Sequence, residues 1–248
     1  MGVDCALFER LLELGARADV APGRGLMLGR QGFHFQGRYR RRYRLALARA
    51  GVAAEAEALA GPDGFAEPFF RAAGLGEMEA MDASAYEGAA HVHDLNEPVP
   101  AHLHGAFDFI FDGGTIEHVF DAPQALSNVF AMLKPGGIFA SANGMNGWPF
   151  HGLYQFNPDF AWSYWKRAAG CEVLRVLALP ANPAEPPIPL PDAAETGRRL
   201  RLSRPFPEGR VYLYYEVRKG AGARPARAAW QSDYQARWRE AAPEMTEA

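Results

Sequence analysis

Residues 107–143 read FDFIFDGGTIEHVFDAPQALSNVFAMLKPGGIFASAN, and this stretch decides the fold. It opens with an apolar run, 107–112, which has an acidic residue near each end and is typical of a buried strand. The segment 121–133 then places the apolar side chains of a helix on its inward face, namely Leu126, Val129, Phe130 and Leu133. A Lys-Pro-Gly-Gly sequence at 134–137 ends that helix, and 138–142 begins a strand. Strand, helix and strand in this order predict one unit of a parallel sheet.

The same alternation extends to both sides of this unit. Further strands are predicted at 26–28, 79–82, 90–95, 171–179 and 211–217, and helices at 4–16, 38–60, 65–74, 121–133 and 158–169. Strands that alternate with helices favour an α/β fold with a mostly parallel sheet.

The pattern predicts one domain over 1–220, followed by a tail over 221–248. An N-terminal helix lies within 1–23, and a proline-rich loop spans 180–210. The tail contains a predicted helix whose aromatic residues, Trp230, Tyr234 and Trp238, share one face. We expect this face to pack on the domain or on a second copy of the chain, which would form a homodimer.

The composition and net charge of the chain indicate which kinds of partner it binds. Of 248 residues, 48% are hydrophobic and 22% charged, and the net charge is -3. These values predict a globular cytoplasmic protein with a small-molecule partner and without a nucleic-acid or membrane partner. The arginine-rich block 38–44 is interpreted as a solvated helix face, with nucleic-acid binding as the alternative. Two cysteines form no disulfide framework.

Three short motifs occur in order within 107–143, and together they resemble a known family. Phe107-Asp108 begins a strand, Glu117-His118-Val119 follows the end of that strand, and Leu133-Lys134-Pro135-Gly136-Gly137 precedes the next one. This order resembles the class I S-adenosylmethionine-dependent methyltransferases. The resemblance implies a Rossmann-like fold closed by a C-terminal antiparallel hairpin. It also implies S-adenosylmethionine as the cofactor.

The resemblance also assigns a cofactor site. Asp82 stands where the family binds the ribose diol, and Asp94 where it contacts the adenine amino group. The other implied cofactor residues are Ala83, Ser84, Leu95, Asp112, Gly113 and Gly114.

The first glycine loop departs from the family pattern of an acid followed by GxGxG. This chain has Gly29-Arg30-Gln31-Gly32. Either Arg30 and Gln31 bind the carboxylate of the cofactor through charge-assisted hydrogen bonds, or cofactor binding has been lost.

Two histidines are the candidate catalytic bases. His118 and His151 are expected to take a proton from the acceptor, and Glu117 to orient the imidazole. The loop after the strand at 138–142 combines amides, aromatic residues and a histidine, as a ligand pocket does. Its expected substrate-binding residues are Asn143, Asn146, Tyr154 and Gln155. Structural alternatives remain: His118 as a helix cap, and a loop whose amides bond only its own backbone.

The loop also resembles a methyltransferase-like group found near sugar and surface-polysaccharide pathways. We therefore expect methyl transfer to an oxygen of a small polar acceptor, sugar-like or a natural product. The alternative is a methyltransferase-fold protein that has lost methyl transfer and serves as a ligand-binding or partner protein, or that catalyses different chemistry in the same pocket.

No metal site is predicted from the sequence. Two HxH pairs, His91/His93 and His102/His104, lack a cysteine or carboxylate at ligand spacing. In the O-methyltransferases of the ubiquinone pathway, an acid–x–x–Glu–His pattern has been linked to a divalent metal, and here Gly114 stands at the position of the first acid.

Overall fold

The computed structural model describes residues 2–196 and 206–241. The chain runs in the order β1 (Gly2–Val3), α1 (Cys5–Gly15), β2 (Arg24–Leu28), β3 (Gly32–Phe33), α2 (Arg40–Ala50), α3 (Glu67–Ala72), β4 (Glu77–Asp82), β5 (His91–Val92), β6 (Phe107–Asp112), α4 (Ala122–Met132), β7 (Leu133–Asn146), a π-helix (Ala161–Ala168), β8 (Glu172–Pro180), β9 (Ile188–Pro189), α5 (Ala193–Thr196), β10 (Val211–Arg218) and α6 (Ser232–Ala241).

Eight strands form one sheet in the order β5-β4-β2-β6-β7-β10-β8-β9. The first five are parallel, and β10 runs antiparallel to both β7 and β8. The predicted fold class, a mostly parallel Rossmann-like sheet with a C-terminal antiparallel hairpin, is confirmed. Since β4 and β5 follow β2 on one side while β6 and β7 lie on the other, the strand order reverses between β2 and β6. Ligands of open α/β sheets bind at such a reversal, outside the carboxyl ends of the strands.

Two apolar layers cover the faces of the sheet. Helix α4 and the π-helix pack on one face, where Trp165 is fully buried. Helices α1, α2 and α3 pack on the other face, where Phe8 stacks on Phe69 at 4.8 Å between ring centroids. Burial of both faces explains why the central strands are apolar without alternation.

Some predicted elements have different bounds in the structure. The helix expected over 38–60 ends at Ala50, because Gly51 adopts a left-handed conformation with φ of 69°. The strand expected over 90–95 is reduced to β5. Strand β7 already begins at Leu133, and its register with β6 shifts between Phe107 and Phe109. The proline-rich segment contains β9 and α5, while its residues 197–205 lie outside the described part of the chain.

A small parallel pair of strands was not predicted. Strand β1 pairs with β3, and the amide of His34 donates to the carbonyl of Val3. Strands of only two residues show no periodic pattern, so the sequence did not reveal this pair. It turns the chain after β2 toward the N-terminus instead of directly into a helix.

Two observations concern possible partners. In α2, Arg40 pairs with Glu57 at 2.7 Å and Arg42 with Glu9 at 2.9 Å, so these two charges of the basic block have acidic partners. The absence of a nucleic-acid partner stays a prediction. Within the described residues, none of the helices is both long and apolar enough to cross a bilayer.

The side chain of Asn128, on α4, orders the segment after β5. Its Oδ1 accepts from the amide of Val99 at 3.0 Å, and its Nδ2 donates to the carbonyls of Leu95 and Glu97 at 3.0 and 2.8 Å. Asn128 is 1% exposed, so solvent cannot replace these bonds.

Replacement of Asn128 by Leu should therefore lower the free energy of unfolding by about 3 kcal/mol, since three buried backbone groups lose their partners. Urea unfolding measures this change. The matched variant Gln124→Ala removes one hydrogen bond to Asn128 and should lose less than about 1 kcal/mol. Equal stability of Asn128→Leu and the wild type would contradict this account.

Candidate functional site

The candidate site lies where β2, β4, β6 and β7 end, at the reversal of the strand order. Asp112 ends β6 and is completely buried. Its Oδ1 accepts from the amides of Gly114, Thr115 and Ile116, at 3.2, 2.7 and 3.3 Å. Burial raises the pKa of this carboxyl group, and the hydrogen bonds it accepts act in the opposite direction. The carboxyl group thus shapes the turn that leads to Glu117.

The second oxygen of Asp112 connects β6 to β7. It accepts from Asn143 Nδ2 at 2.6 Å and from Ser141 Oγ at 3.1 Å. Asn143 Oδ1 accepts in turn from the amide of Glu117 at 3.2 Å. The side chains of Asp112 and Asn143, expected to bind cofactor and substrate, are therefore used within the protein, and they position Glu117.

The first glycine loop is bridged to β6 by a side chain. Thr115 Oγ1 donates to the carbonyl of Leu28 at 2.6 Å, which joins the ends of β2 and β6. Gly29 has a φ of 64°, and a Cβ on it would lie 2.8 Å from Thr115 Oγ1 and 3.8 Å from Asp82 Oδ2. The bare backbone of Gly29 therefore faces both residues. Thr115 was not singled out from the sequence; its place after Gly113-Gly114 was the available signal.

Gln31 fills the space beside Gly113. It is 2% exposed, and its Nε2 donates to the carbonyls of Leu28 and Gly29 at 2.7 and 3.3 Å. Its Oε1 is buried without a hydrogen-bond partner, and a Cβ on Gly113 would lie 2.3 Å from it. Since the amide nitrogen already has two acceptors, the unsatisfied group of Gln31 is its carbonyl oxygen.

Arg30 points to another part of the chain. Its guanidinium lies 2.6 Å from Glu67 and 2.7 Å from Asp63, and it stacks over the ring of Phe65 at 3.9 Å. The expectation that Arg30 and Gln31 bind a carboxylate of the cofactor is therefore not supported, because both sets of donors have partners in the protein. Gly32 lies in β3 and pairs with Gly2.

Asp82 ends β4 as predicted, whereas Asp94 lies two residues after the end of β5. Asp82 is half-buried at the end of β4, and its Oδ1 accepts from the amide of Ser84 at 3.3 Å. Among the ion pairs of the described residues, none involves Asp82. Asp94 is exposed and accepts from the backbone and side-chain nitrogens of Asn96, which lower its pKa. Ala83 and Ser84 are exposed, and Leu95 is buried.

Three candidate catalytic side chains converge beyond β6 and β7. Glu117 and His118 lie in the 3-10 turn Ile116–His118, and His151 in the loop after β7. His151 Nε2 is 3.0 Å from Glu117 Oε1, and His118 Nε2 is 3.8 Å from the same oxygen. The two imidazole rings meet edge to face at 5.1 Å. We call these three residues the Glu-His-His cluster.

The Glu-His-His cluster is buried on one side and open on the other. The side chain of Glu117 is 1% exposed, whereas that of His118 is 47% exposed. Burial raises the pKa of Glu117 to about 7, and it lowers the pKa of both histidines.

The loop after β7 folds onto Glu117. The backbone carbonyl of Glu117 accepts hydrogen bonds from the amides of Leu153 and Tyr154 at 2.7 and 3.1 Å. Gly152 makes this approach possible, since a Cβ on it would lie 2.9 Å from that carbonyl. Trp148 packs against His151 at 5.0 Å between ring centroids. Trp148 and Gly152 were not predicted as site residues, because only the tertiary contact shows what they do.

The remaining candidate substrate residues line the same loop. Tyr154 Oη donates to the carbonyl of Phe120 at 2.7 Å, and Gln155 Oε1 accepts from the amide of Trp148 at 3.4 Å. Asn146 is exposed at the end of β7. Three of the HxH histidines have structural partners instead: His91 lies 2.7 Å from Glu79, His93 lies 3.0 Å from the carbonyl of Glu97, and His104 lies 3.3 Å from that of Val99.

Comparison with known proteins identifies part of the chain. Residues 73–141 match the family model described as "Methyltransferase domain". The match begins after the altered glycine loop and ends inside β7. A search of curated proteins finds no match.

Solved structures resemble the chain at low identity. A 1,6-didemethyltoxoflavin-N1-methyltransferase from Burkholderia thailandensis is 17% identical, with a TM-score of 0.43 over 86% of this chain and 79% of that chain. The [4+2]-cyclase SpnF is 16% identical, with a TM-score of 0.45 over 86% and 81%. An S-adenosylmethionine-dependent methyltransferase from Aquifex aeolicus is 13% identical, with a TM-score of 0.40 over 87% and 98%.

The family model covers the stretch that carries Asp82, Asp94 and the motifs of 107–137. The strand order of the sheet reverses at the site that these residues border. This match and this fold agree with the resemblance of residues 107–137 to the class I S-adenosylmethionine-dependent methyltransferases.

Proposed function

We propose that the protein transfers a methyl group from S-adenosylmethionine to an oxygen of a small polar acceptor. The observation that carries the proposal is the convergence of Glu117, His118 and His151 at the edge of the sheet where Asp82 also ends its strand. A cofactor site and a group of proton-binding side chains on one edge are what methyl transfer to a hydroxyl requires.

The adenosine end of the cofactor fits the tip of β4. Asp82 is half-buried, and the bare Cα of Gly29 stands beside its Oδ2. A fixed carboxylate at this place can accept two hydrogen bonds from a ribose diol. We assign the adenine to the neighbouring segment with Asp94 and Leu95, which Asn128 orders from α4.

The amino-acid end fits the unsatisfied oxygen of Gln31. A buried acceptor without a partner is unfavourable, and an ammonium group would satisfy it. Here the chain departs from the glycine-rich loop of the family. In that loop a glycine lets the backbone contact the cofactor, and we assign this contact to the side-chain carbonyl of Gln31 instead. From the sequence, we expect Gln31 to donate a hydrogen bond to the carboxylate of the cofactor. Because Nε2 already donates to two backbone carbonyls, only the acceptor Oε1 is left for the cofactor.

When bound, the cofactor supplies a methyl group on a positively charged sulfur. The chain must then align the acceptor and remove its proton. The Glu-His-His cluster takes up that proton, and the loop after β7 binds the acceptor with Asn146, Tyr154 and Gln155. Because these groups are amides, a phenol and imidazoles, they suit an acceptor with several hydroxyls, such as a sugar-like molecule or a natural product.

One feature of the structure favours a second candidate function. Thr115 and Gln31 join the ends of β2 and β6 and fill the space beside Gly29 and Gly113. If Thr115 and Gln31 stay in place, the cofactor has no room, and the protein has the methyltransferase fold without methyl transfer. It would then bind another ligand or partner, or catalyse other chemistry in the pocket. Titration calorimetry with S-adenosylhomocysteine separates the two functions: heat of one-to-one binding supports methyl transfer, and no heat at high concentration contradicts it.

Replacement of Asp82 by Ala should weaken binding of S-adenosylhomocysteine by at least about 30-fold, since each hydrogen bond to a carboxylate contributes roughly 1.5–3 kcal/mol. Calorimetry measures both dissociation constants. Glu87→Gln, at an exposed acid in the segment that follows β4, removes one negative charge and should bind as the wild type does. Equal weakening in the two variants would mean that only charge matters and that Asp82 does not contact the ribose.

Replacement of Gln31 by Met should separate two ligands that share an adenosine. We expect the affinity for S-adenosylhomocysteine to fall about 10-fold, and that for 5′-methylthioadenosine, which has no amino-acid group, to change less than about 2-fold. Thermal unfolding of the free variant controls for loss of fold. A parallel loss for both ligands would show that Gln31 only packs the loop.

A further inference from the structure

The Glu-His-His cluster brings one carboxylate oxygen and two ring nitrogens to a single place. All three atoms lie within 4.8 Å of one another, and this is the one such group found within the described residues. Glu117 and His118 come from the turn after β6, and His151 from the loop after β7. The third residue is one that sequence spacing could not supply, since its place beside Glu117 depends on the tertiary fold.

The carboxylate of Glu117 is only half satisfied by the protein. Its Oε2 accepts a hydrogen bond from the amide of Gly144. Its Oε1 is buried without a hydrogen-bond partner, although His151 Nε2 stands 3.0 Å away. A buried carboxylate oxygen in this state is unfavourable, and a cation between the two atoms would satisfy it.

The residue types are those that first-row transition metals bind. Imidazole nitrogen suits Zn²⁺, Fe²⁺ and Co²⁺, and two histidines with one carboxylate form a known ligand set for such ions. In a tetrahedral site with bonds near 2.0–2.1 Å, ligand atoms are roughly 3.3 Å apart. The observed 3.0 and 3.8 Å lie on either side of that value. The two distances to Glu117 Oε1 are therefore close to those of a tetrahedral site, and all three ligand atoms lie within 4.8 Å of one another.

The surroundings hold two of the three ligands in place. Gly144 fixes one oxygen of Glu117, and Asn143 holds its backbone amide. Trp148 packs on the ring of His151. Outer contacts of this kind orient metal ligands. His118 is half-exposed, so the fourth position faces solvent, as in catalytic and not in structural zinc sites.

We propose that Glu117, His118 and His151 bind one divalent transition-metal cation, with an open coordination position toward solvent. This reverses the sequence-based expectation of no metal. The ligand set also differs from the acid–x–x–Glu–His pattern, because the third ligand is a histidine from a different loop.

The use of the cation in catalysis rests on the proposed function, whereas its binding does not. A hydroxyl oxygen of the acceptor at the open position would lose its proton to water more easily, because the cation stabilises the negative charge on that oxygen. The oxygen then forms its bond to the methyl carbon as the carbon–sulfur bond of the sulfonium breaks. With the cation bound, the two imidazoles would serve as ligands and the proton would leave to water; in the metal-free protein, the Glu-His-His cluster takes up the proton, as proposed above.

The test is a titration of the full chain, freed of metal by a chelator, with Co²⁺ and with Zn²⁺. We expect one equivalent to bind, with visible absorption bands of a four- or five-coordinate Co²⁺ site and a rise in the melting temperature. Glu117→Gln and His118→Gln should each weaken binding at least 10-fold. His118 is half-exposed, so its replacement keeps the fold even if Glu117→Gln does not. His93→Gln, which also removes one histidine, should bind as the wild type does.

Two results would overturn the proposal: no binding by the wild type, or binding that Glu117→Gln and His118→Gln leave within 2-fold of the wild-type affinity. S-adenosylhomocysteine is titrated separately into the metal-free protein. If the wild-type protein binds metal but not S-adenosylhomocysteine, the proposed function is contradicted and the metal site stands. If it binds S-adenosylhomocysteine but no metal, the metal site is contradicted and the proposed function stands.

Discussion

The buried carboxyl group of Asp112 is the constraint on which the site depends. It ends β6, and its two oxygens accept five hydrogen bonds, three from the following turn and two from side chains of β7. Burial alone favours the neutral form of such a group, and the donors around it favour the charged form. The arrangement fixes where the turn after β6 begins, and so it fixes Glu117 against Gly144. A residue at the expected place for cofactor contact thus acts by positioning the residues around it.

The same edge of the sheet shows how the chain compensates for an incomplete glycine loop. In the family pattern, bare backbone surrounds the cofactor. Here two side chains, Thr115 and Gln31, bond the carbonyl of Leu28 and occupy the adjoining space. They keep the ends of β2 and β6 together, and they leave one buried acceptor, Gln31 Oε1, without a partner. Where the family pattern has bare glycine backbone, this loop therefore holds an unsatisfied side-chain carbonyl oxygen.

The sequence predicted the sheet well because its central strands are apolar and bounded by clear turn residues. Strand β6 was placed to the residue, and the β6–α4–β7 unit followed from periodicity and the Lys-Pro-Gly-Gly sequence. Periodicity could not show the β1–β3 pair, the extent of β7 or the π-helical form of the helix predicted over 158–169, since these depend on neighbouring elements. In the site, adjacency placed Glu117 beside His118, but only the fold brings His151 to them. The roles of Asp112 and Asn143 were missed for the same reason: a sequence does not show which polar groups bond each other.

The most direct measurement of the account is a crystal structure of the protein grown with S-adenosylhomocysteine. We expect the ribose hydroxyls on Asp82, the adenine beside Asp94 and Leu95, and the amino group within hydrogen-bond distance of Gln31 Oε1. A structure in which Gln31 and Thr115 stay in place and the ligand is absent, or lies away from Asp82, would contradict it and leave the methyltransferase fold without its cofactor.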